Sequence, residues 1–147
     1  MITKAPLTFL SIDNEGTHIM CSCLVNGLKA NLLIDTGASR TVFDLARIKE
    51  HYQVEADIKK NHKFFSGIGA SNIDTFIATI HNIELGAWKI KSLEVVLFDL
   101  KAINQSYAMF DLPRIDGVMG GDVLKAANAV INYKEKCLLL EYYSFFY

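Results

Sequence analysis

Prolines and cysteines are scarce in this chain, and its charges nearly cancel. Among 147 residues there are 2 prolines and 3 cysteines, and the formal net charge at pH 7 is −1. So little proline, together with 51% hydrophobic and 21% charged residues, excludes a disordered or low-complexity chain. A net charge this close to zero gives no electrostatic basis for binding nucleic acid or an anionic membrane surface, so we expect neither as a partner.

Long apolar runs are also missing. No segment approaches the roughly 20 apolar residues that a membrane-spanning helix needs. Residues 1–6 lack the sustained apolar stretch of a secretory signal, so we expect a cytoplasmic protein. The length suits one domain with a real core, and nothing reads as a linker or a repeat. The sequence therefore predicts a single domain over residues 1–147.

The three cysteines are an odd number, and two of them lie close together. Cys21 and Cys23 are two apart in a strand-like run, so their side chains share one face. We interpret them as small apolar residues in a reducing compartment and expect free thiols, no metal and no cofactor. The alternative is half of a zinc or redox site, but zinc requires a further cluster of Cys or His ligands. The four histidines are scattered at His18, His51, His62 and His81.

Short β-prone segments dominate the chain. They are predicted at residues 7–12, 17–25, 28–34, 41–43, 73–85, 88–98, 116–120, 129–133 and 137–142. Asn26-Gly27 is a strong hairpin-turn signal between two of them. Three short helices are predicted at 45–52, 101–110 and 122–127, the first capped by Asp44 and the last by Asp122. Many short strands with few helices predict an all-β fold class, a closed and mainly β domain.

One motif carries chemistry. Asp35-Thr36-Gly37 ends the apolar run at 31–34 and is followed by Ala38-Ser39. A buried strand that ends in an acid, a hydroxyl and a glycine places a carboxylate at the mouth of a core. The motif occurs once, so chemistry that needs two carboxylates would need a second copy of the chain. Taken alone, the motif is also typical of a simple turn.

Two further segments follow the motif, and their order along the chain is informative. Gly67-Ile68-Gly69 comes about thirty residues later, and Val118-Met119-Gly120 precedes the last predicted helix. Together the three segments resemble the retropepsin-like aspartic proteases, which include the retroviral proteases and their single-domain cellular and bacterial relatives. The resemblance spans roughly residues 17 to 140. It implies a closed retropepsin-like barrel, a homodimer, and aspartic endopeptidase activity on an extended peptide or protein substrate.

The resemblance also implies a role for each residue of the motif. Asp35 from each of two chains would form a dyad that activates water. Thr36 would reach the partner chain's backbone with its hydroxyl. Gly37 would bring backbone N–H groups close to the carboxylates, and Ala38 and Ser39 would continue the loop, with Ser39 available to the substrate backbone.

The other two segments would flank the cleft. By resemblance, Gly67, Ile68 and Gly69 form the tip of a flap that closes over the substrate, and Val118, Met119 and Gly120 support the active loop from beneath. The candidate pocket residues Ile34, Ile68 and Val118 are apolar. We therefore expect apolar side chains next to the bond that is cut.

The chain departs from the retroviral pattern at two linked positions. Retroviral proteases carry an acid four residues after the catalytic one, and an arginine directly after the glycine of the supporting segment. Here those positions hold Ser39 and Gly121. We predict that Arg40 and Asp122, each one residue further along, pair within or between chains as a replacement, a solvated pair of about 0–1 kcal/mol.

Three interpretations stay open at this stage. Residues 99–116 are either a helix that covers the cleft or dimer edge, or a surface helix that packs Ile103, Tyr107 and Phe110 inward. The tail at 142–147 has five aromatics in six residues and either buries at a subunit interface or folds onto its own domain. The function is either the protease or a non-catalytic peptide-binding or structural homodimer with the same fold. The intact acid favours the enzyme, because a binder has no need of it.

Overall fold

The computed structural model describes residues 1–12, 14, 16–52, 59–60 and 75–143. That part of the chain holds ten strands and three short helices. In chain order they are β1 (Ile2–Ser11), β2 (Thr17–Val25), β3 (Leu28–Ile34), β4 (Val42–Asp44), α1 (Leu45–Glu50), β5 (Lys59–Lys60), β6 (Phe76–Leu85), β7 (Trp88–Phe98), α2 (Lys101–Met109), β8 (Gly117–Met119), α3 (Gly121–Ala126), β9 (Val130–Asn132) and β10 (Cys137–Glu141). The predicted mainly β fold class is confirmed.

Six of the strands close into a barrel. The sheet runs β5-β6-β7-β4-β8-β3-β2-β1-β10-β9, and an additional pairing of β6 with β2 joins β2, β6, β7, β4, β8 and β3 into a ring. At its centre β3 and β8 are parallel, with Ile34 opposite Met119. Parallel strands end at the same edge, so the residues that follow β3 and those that follow β8 emerge side by side.

The hairpin that leads to this edge forms as predicted. β2 and β3 have the predicted bounds and are joined by Asn26 and Gly27, whose φ angles are 51° and 79°. Positive φ at both central residues is typical of the tight turn that fits the twist of paired strands. The hairpin therefore fixes the register with which β3 delivers Asp35.

The first strand is longer than predicted. It begins at Ile2 rather than Leu7, because Pro6 does not interrupt it. Residues 2–6 pair with β10 and residues 7–11 pair with β2, so Pro6 lies where β1 changes partners. Proline lacks an N–H donor and is tolerated where a ladder ends. The same strand thus ties the barrel to the β9–β10 hairpin.

Two apolar clusters stabilise the fold. The main one fills the barrel, and its fully buried side chains include Val25, Phe43, Ile80, Leu97 and Leu138. Burying each such side chain contributes about 1.5–3 kcal/mol. The smaller cluster lies beneath α2 and comprises Leu10, Met20, Tyr107 and Ile115.

The interpretation of residues 99–116 as an inward-packing surface helix is correct for only one of its three side chains. Tyr107 is buried and accepts or donates a hydrogen bond at 2.6 Å to Nδ1 of His18, whereas Ile103 and Phe110 are 37% and 44% exposed. A nine-residue helix presents only a narrow stripe to a sheet, and here that stripe is centred on Tyr107.

Asp44 is the N-cap residue of α1 as predicted but makes no side-chain capping hydrogen bond, and the cap predicted at Asp122 is wrong. The Asp44 carboxylate instead accepts a hydrogen bond from the Leu100 N–H at the start of α2, at 3.0 Å. The last helix begins at Gly121 with Gly120 as its N-cap, so Asp122 lies inside its first turn. Each acid has been recruited by a partner distant in sequence, which local capping patterns do not reveal.

The end of the chain folds onto its own domain as far as it is described. β10 pairs with both β1 and β9, and the Tyr142 N–H donates to the Met1 carbonyl at 2.9 Å. Residues 144–147, on which the interface hypothesis for the aromatic tail mainly rests, lie outside the described residues. No helix in the described part of the chain is long and apolar enough to span a membrane.

Candidate active site

Asp35 directly follows β3 and is exposed at the edge where β3 and β8 end. Its own N–H donates to the Met119 carbonyl at 3.0 Å, and its carbonyl accepts from the Ala38 N–H at 3.2 Å. The Gly37 N–H donates to Oδ1 of its carboxylate at 2.9 Å. The backbone of Asp35 is therefore fixed at both ends, while its carboxylate is oriented by one donor and is open to solvent.

Gly120 and Gly121 allow the loop to lie directly on the supporting segment. The Gly121 N–H donates to the Ala38 carbonyl at 2.7 Å. A Cβ atom on Gly120 would stand 2.8 Å from the carbonyl oxygens of both Ala38 and Arg40, closer than real Cβ atoms approach backbone. Only glycine fits this contact. The predicted supporting segment thus lies against the loop, with Met119 buried and Val118 half-buried.

Thr41 and Asp122 join the far end of the loop to α3. Oδ2 of Asp122 accepts the Thr41 N–H at 2.9 Å, and Oδ1 accepts the Thr41 hydroxyl at 2.7 Å. The hydroxyl oxygen in turn accepts the Gly120 N–H at 3.1 Å. Thr41 is only 1% exposed, so these bonds are shielded from water.

The predicted pairing of Arg40 with Asp122 does not form within the chain. Arg40 extends instead to Glu94 on β7, with Nη2 2.9 Å from Oε1. The two Asp122 oxygens accept hydrogen bonds from the N–H and the hydroxyl of Thr41, and these short groups need less side-chain ordering than an ion pair with a long arginine. Arg40 and Glu94 are 40% and 54% exposed, so their pair contributes at most about 1 kcal/mol.

The structure brings together some of the predicted site residues and leaves others apart. Asp35 is hydrogen-bonded to Met119, and Ala38 to Gly121 directly after the supporting segment. Gly37 contacts the Asp35 carboxylate within the loop, and Thr36 and Ser39 are exposed. The predicted flap tip, Gly67-Ile68-Gly69, lies outside the described residues.

A second acidic cluster lies at the opposite end of the β3–β8 pair. Asp116 is buried, accepts the Asn31 N–H at 2.8 Å, and pairs with Nε of Arg47 at 2.6 Å. Beside it, Asp44 is buried and lies 3.6 Å from a guanidinium nitrogen of Arg114. These acids are neutralised within the chain and hold α1 and α2 against the barrel.

Cys21 and Cys23 point into the barrel as free, buried thiols. Burial raises the pKa of each thiol from 9.0 to about 12, so both are protonated at neutral pH. A protonated thiol is a poor nucleophile and a poor metal ligand. Among the described residues no three or more His, Cys, Asp or Glu side chains are grouped as metal ligands.

Sequence reasoning missed Thr41, Asp122 and Asp116 as partners in these networks. Thr41 was interpreted only as part of a short strand, and Asp122 as a helix cap and as the partner of Arg40. The available signal was the acid in the first helical turn, directly after two glycines, because an acid there faces backbone donors at close range. Asp116 carried no comparable signal, since its partners Asn31 and Arg47 are 85 and 69 residues away.

Comparison with known proteins assigns this chain to a family. Residues 21–123 match the family model described as aspartyl protease. A search of curated protein sequences finds no significant match. The supporting segment and the loop both fall within the matched range, which covers more than half of the chain.

Solved structures share the fold at low sequence identity. A retropepsin-like aspartic protease from Rickettsia conorii aligns with a TM-score of 0.61 at 14% identity, covering 97% of this chain and 92% of that one. The retroviral protease-like domain of Ddi1 from Leishmania major gives 0.55 at 16%, covering 88% and 92%. EIAV protease complexed with the inhibitor HBY-793 gives 0.56 at 20%, covering 84% and 99%. The chain belongs to the aspartyl protease family and has the retropepsin-like fold.

Proposed function

We propose that this chain is an aspartic endopeptidase that works as a homodimer, with one Asp35 from each chain in the catalytic dyad. The observation that carries the proposal is the exposed Asp35 carboxylate, held at the barrel edge by backbone hydrogen bonds to Met119 and within its own loop. One chain offers one such carboxylate. Peptide hydrolysis by this chemistry needs two, so a second copy must supply the other.

The proposed reaction uses one shared proton, as is established for paired aspartates in enzymes of this class. Two carboxylates about 3 Å apart cannot both ionise. The ionised one takes a proton from water, whose oxygen attacks the peptide carbonyl carbon, while the protonated one donates to the carbonyl oxygen. The tetrahedral intermediate then collapses, the C–N bond breaks, and the amine nitrogen leaves with a proton from the dyad.

The remaining loop residues take supporting roles in this proposal. Thr36 is exposed beside Asp35 and would meet the partner chain, and the Gly37 N–H orients the carboxylate. Ser39 is exposed on the same loop and available to substrate backbone. Val118, Met119 and Gly120 support the loop, and Gly67-Ile68-Gly69 would close over the substrate as a flap.

The proposed substrate is an extended polypeptide that binds as an added strand between flap and barrel edge. Backbone hydrogen bonds give affinity, and alternate side chains enter pockets. Ile34 and Val118 lie half-buried near the loop, which supports a preference for apolar residues next to the cut bond. The three cysteines are free and buried, which supports a reducing, cytoplasmic setting.

The test is digestion of a diverse peptide library by the wild type and by Asp35→Asn, from mildly acidic to neutral pH. The matched control is Asp111→Asn, an exposed aspartate at the end of α2 whose φ of 54° asparagine also tolerates. We expect Asp35→Asn to lower cleavage by at least about 1,000-fold and the control to leave it unchanged. Undiminished cleavage by Asp35→Asn would refute the proposal. If neither form cleaves and both bind peptides equally, the chain is a binding module.

A further inference from the structure

We propose that Thr41 and Asp122 are positioning residues that fix the Asp35 loop within each single chain, before a partner binds. This inference rests on the proposed function, because positioning has a catalytic consequence only if Asp35 is catalytic. Neither residue touches the reacting atoms in the proposal. Their effect passes through the backbone of residues 35–41.

The contact between them satisfies several donors at once. The two oxygens of Asp122 accept the N–H and the hydroxyl of Thr41 at 2.9 and 2.7 Å, and Oδ1 also accepts the Val123 N–H at 2.9 Å. The Thr41 oxygen accepts the Gly120 N–H at 3.1 Å. Hydrogen bonds to an ionised acceptor are stronger than neutral ones, and burial of Thr41 protects them.

These bonds complete a set that holds the loop at three points. Asp35 is bound to Met119 through its N–H, Ala38 accepts the Gly121 N–H, and Thr41 is bound by Gly120 and Asp122. Each anchor in the loop therefore faces a residue in the short segment 119–122. Without the third anchor, Thr41 keeps the bond that its carbonyl accepts from the Val96 N–H at 3.0 Å, but the hydrogen bonds at Asp35 and Ala38 open more often.

All of the atoms in this set belong to one chain. In this proposal the Asp35 loop reaches its conformation without a partner contact, and the second copy only has to bring its own loop into register. An ion pair across the interface would instead assemble the site and the dimer together. The Arg40 side chain, for which an ion pair with Asp122 was predicted, points away from Asp122 and binds Glu94.

A shifted loop would disturb chemistry more than binding. A displacement of about 1 Å in a reacting group can cost on the order of 100-fold in rate. Substrate backbone contacts spread over the cleft and flap are less sensitive to one anchor. The inference therefore predicts a fall in kcat with little change in KM, which loss of folded protein alone would not produce once concentrations are corrected for active molecules.

The experiment compares Thr41→Val, which removes the hydroxyl, with Thr41→Ser, which keeps it. Asp122→Asn replaces one of the two acceptor oxygens with an NH2 donor, whichever way the amide turns, and so tests the other partner. The matched controls are Thr8→Val on the exposed face of β1 and Glu94→Gln in the Arg40 pair next to the loop. Steady-state kinetics and amide hydrogen exchange of the Asp35 and Gly121 N–H groups are measured for each.

We expect Thr41→Val and Asp122→Asn to lower kcat about 10- to 100-fold with KM changed less than about threefold. Thr41→Ser and both controls should keep kcat within about threefold. Exchange at Asp35 and Gly121 should be slow in the wild type even when it is diluted to monomer, and faster in Thr41→Val. Unchanged kcat in Thr41→Val, or fast exchange in the wild-type monomer, would overturn the inference.

The two proposals fail differently. A wild type that cleaves nothing removes the proposed function, while the exchange rates in wild type and Thr41→Val still decide whether the pair fixes the loop. A wild type that cleaves, with Thr41→Val equal to it in kcat and in exchange, removes the positioning role and leaves the protease intact.

Discussion

Asp35 and Asp116 lie at opposite ends of the parallel β3–β8 pair and have opposite surroundings. Asp116 is 4% exposed and is satisfied by the Asn31 N–H and the Arg47 guanidinium. Asp35 is exposed and receives one N–H, from Gly37. An ionised carboxylate can accept about four hydrogen bonds. Asp116 is therefore hydrogen-bonded and charge-paired within its own chain, while the Asp35 carboxylate keeps acceptor capacity for water, substrate or a partner.

The difference shows how one strand pair separates stability from chemistry. At the Asp116 end, charge is neutralised, and the networks connect α1 and α2 to the barrel. At the Asp35 end, hydrogen bonds fix the backbone and spare the carboxylate. Replacing aspartate with asparagine should therefore lower stability at the Asp116 end and leave stability nearly unchanged at the Asp35 end.

The largest expected effect is a loss of stability when Asp116 is replaced. Asp116→Asn leaves Arg47 without its anionic partner, and we expect it to lower the free energy of unfolding by about 3 kcal/mol. Asp35→Asn should change it by less than about 0.5 kcal/mol, because the side chain is exposed. Urea denaturation of both variants measures this. Equal losses of stability would contradict the division of roles.

The next effect concerns the backbone contact at the Asp35 end. Gly120→Ala should destabilise the fold by about 1–3 kcal/mol, because its Cβ would collide with the carbonyls of Ala38 and Arg40. Gly121→Ala is the matched control: its Cβ would lie 3.5 Å from the Ala38 oxygen, and alanine favours the helix by up to about 1 kcal/mol. Thermal unfolding should give opposite signs, and the same sign for both would argue against the close loop contact.

A smaller effect is the pH dependence of stability that comes from the buried thiol of Cys23 near Asp116. The pKa of Cys23 is raised to about 12 by burial first, then by Cys21 and by the charge of Asp116. The folded state therefore holds its thiol protons where the unfolded state, with a pKa near 9, loses them. Stability from this source is complete below pH 9 and falls as pH rises toward 12.

The measurement is urea denaturation at pH 8 and pH 10 for the wild type and for a Cys23→Ala variant. We expect the wild type to lose about 1–2 kcal/mol more than the variant over this interval, whatever their difference at pH 8. Identical pH dependence in both proteins would mean that the Cys23 thiol is not shielded in the folded state.

Local patterns in the sequence predict the parts of this fold that depend on local physics. Alternating apolar residues and the Asn26-Gly27 turn predict β2 and β3 at their observed bounds, and Trp88–Phe98 is likewise predicted in full. β1 is predicted to begin at Leu7, and only the change of partner at Pro6 explains why the strand extends back to Ile2.

The candidate site divides in the same way. The Asp35 loop is recognisable because acid, hydroxyl and glycine are contiguous in sequence. The Thr41–Asp122 contact is not, since its two halves are 81 residues apart and meet through the pairing of β8 with β3 and β4. By charge alone, Arg40 is the expected partner of Asp122. Its side chain instead extends toward β7 and pairs with Glu94.

The most direct test of the account is the activity of mixed subunits. Wild-type chain and Asp35→Asn chain are mixed in varying proportions, allowed to exchange, and assayed at constant total concentration. If each active centre needs one Asp35 from each of two chains, activity falls as the square of the wild-type fraction, to about a quarter in an equal mixture. A linear fall, to about half, would mean that a single chain cleaves peptides alone and would contradict the proposed shared dyad.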